Sequence, residues 1–483
     1  MNLFPEPHET IEGVGRVVRD ERRTFVDVLE SCFARIEEWE PKVNAWAFVD
    51  REGAMAQARE RDGQLLAGDD RGPLHGIPFG IKDIVDVAGM PTSAGARLWS
   101  TGPAEKDAAI VARLREAGAV ILGKTVTTPY AWVDPPPTRN PWDLDRTPGG
   151  SSSGSAVAVA CGMCLGAVGT QTGGSLTRPA AFCGVASLKP ASNLSIDPGI
   201  VPLAPSLDTS GFLARTVGDL YLILRGLHGR NYPNTVSFRP RSPHLERLIS
   251  EVLLAWGLRP KHLIASFSEP ATVPDPPRFA PARPPILGRV RGFFQDLIEP
   301  SARVVFETAL MDLAGAGAEV VEVEMPEAFG DVHRPHRVVM AAEAASVHSA
   351  RMARQPDDYP PKIRALVEEG FSIPAQDYIQ ALEIRRTLRE AVDRAMAGVH
   401  ALVVPAALGP APDRSTTGDP AFNSPWTFTR SPTISFPIGL SGEGLPLAVQ
   451  VVGHSYDSPF EVALWCEEVI RRERSGTDRK GPP

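Results

Sequence analysis

GGSSSGSAVAVACGMCLGAVGTQTGGSLTRPAAFCGVASLKP, residues 149–190, carries the densest chemical signal in the sequence. Its opening segment, Gly149–Ala156, sets serines and glycines directly before an apolar run, Ala156–Val168. That run reads as a buried helix, because it falls short of the ~18 residues that would suggest a membrane span. Free amides and hydroxyls then converge at a helix N-terminus, which favours negative charge, whether phosphate or a developing oxyanion. A phosphate loop is a poor match, since the Lys-Ser/Thr pair that closes a Walker loop is missing. Further along, Gly173 and Gly174 immediately precede Ser175, so backbone amides can approach a reacting carbonyl and hold its oxyanion.

A serine is nucleophilic only beside a base. None of the ten histidines lies in these glycine-serine segments. Outward from the quoted stretch, GIPFGIKD at Gly76–Asp83 offers a lysine instead. Lys82 sits among apolar residues, and burial can lower a lysine pKa from ~10.4 by several units.

The rest of the chain bounds the answer. Among 483 residues, 50 Lys+Arg stand against 58 Asp+Glu, a net charge of -8 that argues against a general nucleic-acid or anionic-membrane binder. With 43% hydrophobic and 22% charged residues the chain is globular and has material for a sizeable core. The 43 glycines and 47 prolines predict many turns. Five scattered cysteines make no disulfide framework and fit a reducing compartment. The acidic first thirty residues show no secretory signal, so a cytoplasmic protein is expected.

Apolar spacing predicts an amphipathic helix over Thr24–Ile36, stopped by Pro41, and a second helix over Glu52–Leu66. Ala108–Ala117 reads as a helix capped by Gly118, leading into the strand Ala119–Leu122. Prolines cluster in residues 230–285 around a helix-like patch, Leu245–Trp256, which reads as a variable insertion or pocket cover. Beyond it come a strand at Leu287–Phe294, a helix at Arg303–Ala314 and a strand at Glu319–Val323. A long helical section, Val338–Met396, and a strand, Ala401–Pro405, precede turn-rich sequence to Pro432. Strands at Thr433–Phe436 and Leu447–Val452 and a helix at Pro459–Arg472 close the chain, and no internal repeat is found.

Taken in order, GIPFGIKD, PGGSSSGSA, TGGS followed by RPAAFCG and LKP, and PSLDTSG at Pro205–Gly211 resemble the amidase signature family over about residues 22–225 and 400–470. The resemblance implies an α/β fold in one domain, 1–483, with a large mixed β-sheet covered by helices on both faces. It implies a Ser-cisSer-Lys triad: Ser175 the nucleophile, Ser151 the serine with a cis peptide bond, Lys82 the base. Backbone amides of Thr172, Gly173, Gly174 and Ser175 would form the oxyanion hole, with Ser152, Thr170 and Asp208 in support. The activity implied is amide hydrolysis through an acyl-enzyme, with no metal or organic cofactor, on a small-molecule amide or carbamate; a homodimer is the expected assembly.

Two positions depart from the commoner family pattern: Gln171 where many members carry aspartate, and Thr177 where they carry arginine. Arg178 follows instead, and TQTGGSLTRP is similar to the malonamidase-like subgroup, whose arginine binds a substrate carboxylate. Arg178 is therefore either a carboxylate clamp or a scaffold partner for nearby carbonyls. Trp426 and Phe428 either wall the pocket or pack in the core. Asp83 either orients the lysine or serines or serves as a cap. Cys161 and Cys164, a CxxC without a second pair, read as buried packing. Carbamate or ester cleavage, a glutaminase subunit of a tRNA-dependent amidotransferase, and a non-catalytic binding protein of the same fold remain as alternatives.

Overall fold

The computed structural model describes residues 2–6, 9–20, 22–96, 102–191, 199–228, 284–454 and 459–477. The expected insertion at 230–285, with its helix-like patch, lies outside the described residues except for its last two.

Eleven strands form one mixed sheet in the order β1-β3-β2-β4-β6-β5-β10-β11-β9-β7-β8. Its first part contains β1 (Trp46–Val49), β2 (Pro78–Lys82), β3 (Val120–Thr125), β4 (Gly166–Gln171), β5 (Ala186–Lys189) and β6 (Thr209–Ala214). The second contains β7 (Ile286–Val290), β8 (Glu319–Val323), β9 (Ala401–Pro405), β10 (Thr433–Leu440) and β11 (Pro446–Val452). Strand β2 runs parallel to both β3 and β4, so Lys82, Thr125 and Gln171 end their strands along one edge. Ligand sites of open α/β sheets lie at such carboxyl ends. Helices cover both faces of the sheet, the α/β architecture expected.

The helix α1 (Ile11–Arg19) is capped by Thr10, and α2 (Phe25–Val43) by a capping box of Thr24 and Asp27. Pro41 does not stop α2, as the sequence suggested. It falls in the last turn, where its missing N–H costs one bond, and the helix ends instead at Asn44, left-handed at φ 51°. Next come α3 (Arg51–Leu66) and α4 (Ala109–Glu116).

The apolar run Ala156–Val168 is a second correction. It is half helix and half strand: α5 (Ser153–Ala160) ends at Gly162, φ 69°, and β4 begins at Gly166. A strand buried on both faces is continuously apolar, so its pattern matches a buried helix. Close approach fixes Gly166, where a Cβ would stand 2.6 Å from the Phe79 ring.

After α6 (Thr177–Cys183) and α7 (Val217–His228), β7 stops at Val290 rather than reaching Phe294, which lies in the short α8 (Phe293–Leu297) that follows Gly292, φ 77°. The remaining helices are α9 (Pro300–Gly315), α10 (His333–Arg354), α11 (Pro361–Phe371), α12 (Ala375–Ala395), α13 (Ser424–Phe428) and α14 (Phe460–Thr477). The long helical section is thus three helices, and the turn-rich segment contains α13. No described helix is long and apolar enough to cross a membrane.

Candidate active site

Lys82 ends β2 fully buried, and its Nζ donates to Ser151 Oγ at 2.7 Å and to Thr170 Oγ1 at 2.8 Å. Burial brings its pKa down to about 7, with the field of Asp208 opposing the shift. The amine is therefore substantially neutral near pH 7 while pointing at a hydroxyl. Ser151 follows a cis Gly150–Ser151 peptide bond. The glycines before it are there for closeness: a Cβ on Gly150 would meet Thr417 Cγ2 at 2.9 Å, and Gly149 has φ 80°.

Ser175 stands just beyond β4, on the loop into α6, and is 8% exposed. Its carbonyl accepts from Ser152 N at 3.2 Å, tying the Ser175 loop to the start of α5. Ser152 Oγ exchanges 3.2 Å bonds with the N–H and carbonyl of Thr170. Among the described residues, the N–H groups of Gly173, Gly174 and Ser175 donate to no protein acceptor. Unsatisfied amides gathered beside a serine are what an oxyanion hole requires.

Gln171 holds this loop. Its Oε1 accepts from Leu176 N at 3.0 Å and Thr177 N at 3.1 Å, and its Nε2 donates to Thr427 Oγ1 at 3.1 Å. Thr427 then donates to Gly173 O at 2.9 Å. On the other side, Thr172 Oγ1 donates to Asp208 Oδ1 at 2.5 Å, and Asp208 Oδ2 accepts from Leu203 N and Ala204 N. Burial raises the Asp208 carboxyl to about 6. His336 approaches the same loop at Thr172 O, 2.9 Å away. Burial lowers its pKa to about 4, and its Nε2 is engaged with that carbonyl, away from Ser175.

The sequence-derived set thus converges: Lys82, Ser151, Ser152, Thr170, Thr172, Gly173, Gly174, Ser175 and Asp208 form one neighbourhood. Asp83 does not join Lys82 but pairs with buried Lys124 at 2.9 Å and accepts from Ser93 N at 3.1 Å. Arg178 is 2% exposed, with its Nη2 on Gly150 O at 2.8 Å and Thr417 Oγ1 at 3.3 Å and its Nε and Nη1 buried without a hydrogen-bond partner. Trp426 is fully buried, stacked on Phe294 with centroids 6.0 Å apart and packed against Phe329, which matches core packing. Cys161 and Cys164 are buried free thiols, and burial pushes Cys161 up to about 12. Among the described residues no His, Cys, Asp and Glu cluster is arranged to hold a metal.

Three residues at the site carry little signal in the sequence. Gln171 stands out only as a departure from the family pattern, Thr427 adjoins Trp426 without a motif, and His336 lies in a helix with no local motif.

The chain is similar to known proteins along most of its length. A glutamyl-tRNA(Gln) amidotransferase subunit from Carboxydothermus hydrogenoformans is 31% identical over 471 residues, covering 89% of this chain and 90% of that protein. The putative amidase AmiD of Mycobacterium bovis is 31% identical over 490 residues, covering 97% and 95% respectively. The solved structure of the native peptide amidase from Stenotrophomonas maltophilia superposes with a TM-score of 0.77 at 28% identity, covering 96% of this chain and 97% of that one. With the Amidase family model matching residues 27–250 and 267–459, and so spanning Lys82, both serines and the loop from Thr172 to Ser175, this chain belongs to the Amidase family, the amidase signature enzymes.

Proposed function

We propose that this amidohydrolase cleaves the C–N bond of a small amide through an acyl-enzyme on Lys82, Ser151 and Ser175. The observation that carries the proposal is the buried Lys82 amine, depressed to about 7 and 2.7 Å from Ser151 Oγ. Neutral Lys82 takes the Ser151 proton, Ser151 takes that of Ser175, and Ser175 Oγ bonds to the amide carbonyl carbon. The carbonyl electrons move onto oxygen, which the N–H groups of Gly173, Gly174 and Ser175 receive. Collapse breaks the C–N bond, and the departing nitrogen takes a proton from Ser151, which Lys82 replenishes. Water, deprotonated through the same relay, then attacks the ester and frees Ser175 and the acid. Carbamates and esters fit the same addition steps, so substrate panels include all three.

Labelling the purified protein with a fluorophosphonate and mapping the adduct tests the assignment. Stoichiometric modification of Ser175 that disappears in Lys82→Ala is the expected result. Modification elsewhere, or near-normal turnover at pH 7 by Lys82→Ala, overturns it.

The similarity to glutamyl-tRNA(Gln) amidotransferase subunits favours a second reading, a glutaminase that works with companion subunits. Ammonia release from glutamine and co-purifying subunits would support it; turnover of simple amides by the isolated chain favours the first, as do the AmiD and peptide amidase likenesses.

A further inference from the structure

The peptide groups of the loop before Ser175 are tied down at their carbonyl ends. A trans peptide is planar and sends its C=O and N–H in opposite directions, so whatever holds the carbonyl aims the amide. Among the described residues only Gly150–Ser151 is cis, and the loop from Thr172 to Ser175 is trans. Gly174 O accepts from Arg178 N at 2.9 Å, at the start of α6, and this aims the Ser175 N–H. Gly173 O accepts from Thr427 Oγ1 at 2.9 Å, and this aims the Gly174 N–H. The third carbonyl, Thr172 O, lies 2.9 Å from His336 Nε2, and among the described residues nothing else donates to it. Asp208 holds the Thr172 hydroxyl, which leaves the peptide beyond that residue free to turn about its ψ.

His336 meets the loop as a donor in one orientation. A carbonyl only accepts, so Nε2 carries the ring proton and Nδ1 is bare. The residue lies near the beginning of α10, and helical side chains lean toward their helix N-terminus, here toward Thr172. It is buried, and its ring stands edge-on to Phe428 of α13, centroids 6.1 Å apart at 79°. Its Cε1 is 3.8 Å from where a Cβ on Gly173 would stand, so the imidazole flanks the loop as well as holding it. The next residue, Arg337, pairs with Glu369 of α11 at 2.5 Å, which fixes α10 behind the ring. Burial keeps the imidazole neutral at pH 7, with His333, Arg337 and Arg385 acting in the same direction.

We propose that His336 is a positioning residue for the reaction: its Nε2–H sets the tilt of the Thr172–Gly173 peptide and so aims the Gly173 N–H at the oxygen that becomes negative when Ser175 adds to the substrate carbonyl. This rests on the amidohydrolase reading of Ser175. The histidine touches no reacting atom and transfers no proton. It does for the third peptide what Arg178 N and Thr427 do for the other two, so α6, α13 and α10 each fix one donor. A donor out of line stabilises the oxyanion less, while the neutral ground-state carbonyl, a weaker acceptor, loses little. The signature is therefore a loss in kcat with KM kept.

Steady-state hydrolysis of 4-nitrophenyl butyrate, with inhibition by butylboronic acid, tests the role. His336→Phe keeps a ring and loses the donor, so kcat should fall about tenfold or more with KM within about twofold. The boronate, whose adduct on Ser175 carries a negative oxygen, should bind more weakly by the same factor. His336→Gln places an amide nitrogen the same number of bonds from Cα as Nε2 and should stay within about threefold of wild type. His336→Asn reaches only as far as Nδ1 and should resemble the phenylalanine variant; this comparison decides if His336→Phe fails to fold. Wild-type kcat in His336→Phe, or equal losses in the glutamine and asparagine variants, would overturn the role. Fluorophosphonate labelling separates the two readings. A wild-type protein that labels at Ser175 while its kcat ignores the His336 changes refutes this inference alone, and one that does not label refutes the catalytic reading and this inference with it.

Discussion

Gln171 and Thr427 lie 3.1 Å apart across 256 residues of sequence, and this contact joins the Ser175 loop to α13. One carboxamide satisfies two amides at the start of α6 while steering the hydroxyl that holds Gly173 O. Thr427→Val keeps the shape and removes the link. A neutral hydrogen bond contributes about 1 kcal/mol, so kcat should fall about fivefold to tenfold with KM little changed. Gln171→Leu strands two buried N–H groups and should in addition lower the unfolding midpoint, each unsatisfied group costing about 1–3 kcal/mol. Steady-state kinetics with thermal unfolding separates the two effects; a Thr427→Val enzyme with wild-type kcat would remove the loop from catalysis.

The depressed Lys82 pKa gives a pH dependence with a definite sign. In the proposed relay Lys82 acts when neutral, so kcat/KM should rise about tenfold per unit below pH 7 and level off above it. The Asp208 carboxylate favours the Lys82 ammonium and holds its pKa up. Asp208→Asn should therefore shift the inflection to lower pH, which a pH–rate profile on one amide substrate reads directly. An unmoved or upward-shifted inflection would contradict the electrostatic coupling.

The same burial has a stability consequence. The unfolded lysine binds its proton up to about 10.5, the folded one only to about 7, so folding forfeits a proton between these values. The penalty is complete below pH 7 and fades as pH approaches 10.5. Lys82→Met should abolish turnover yet raise unfolding stability at pH 6 by roughly 1–3 kcal/mol, after loss of the hydrogen bonds to Ser151 and Thr170. Urea unfolding at pH 6 and pH 9.5 should show the gain shrinking at the higher pH.

Arg178 divides the carboxylate clamp from the scaffold by kinetics. Its Nη2 grips Gly150 O, the carbonyl of the residue before Ser151. Arg178→Ala should lower turnover of a carboxylated amide and of its neutral analogue by the same factor, because the damage reaches Ser151 rather than the substrate. A loss confined to the carboxylated substrate would restore the clamp.

Much of this site is legible in sequence because its chemistry is local. Lys82, Ser151 and Ser175 each sit in a short motif whose neighbours, small or apolar, already imply burial and close backbone approach. What escapes is long-range or conformational. The bond from Thr427 to Gly173 spans 254 residues, and no spacing rule announces it. The division of Ala156–Val168 into α5 and β4 turns on the left-handed Gly162, which apolar periodicity does not register. Trp426 is ambiguous for a related reason: an aromatic beside a polar turn looks the same whether its ring faces a pocket or Phe294.

Gly173 and Gly174 look interchangeable in TGGS, yet their surroundings differ. A Cβ on Gly174 would lie 2.5 Å from Asn423 Oδ1 and 3.1 Å from Asn423 Cβ. Asn423 cannot swing aside freely, because it is fully buried and its Nδ2 donates to Ala406 O at 2.8 Å. A Cβ on Gly173 would find its nearest neighbour, Ser424 Oγ, at 3.6 Å, an ordinary contact. Neither residue has a positive φ, so the difference is one of space and not of backbone strain. Gly174→Ala should displace the loop amides and cost about a hundredfold or more in kcat, the scale of a lost oxyanion donor. Gly173→Ala should remain within about tenfold of wild type, unless the substrate itself occupies that space, in which case KM rises while fluorophosphonate labelling of Ser175 persists. Equal losses in kcat would mean that the amides are set by loop flexibility and not by the wall that Asn423 provides.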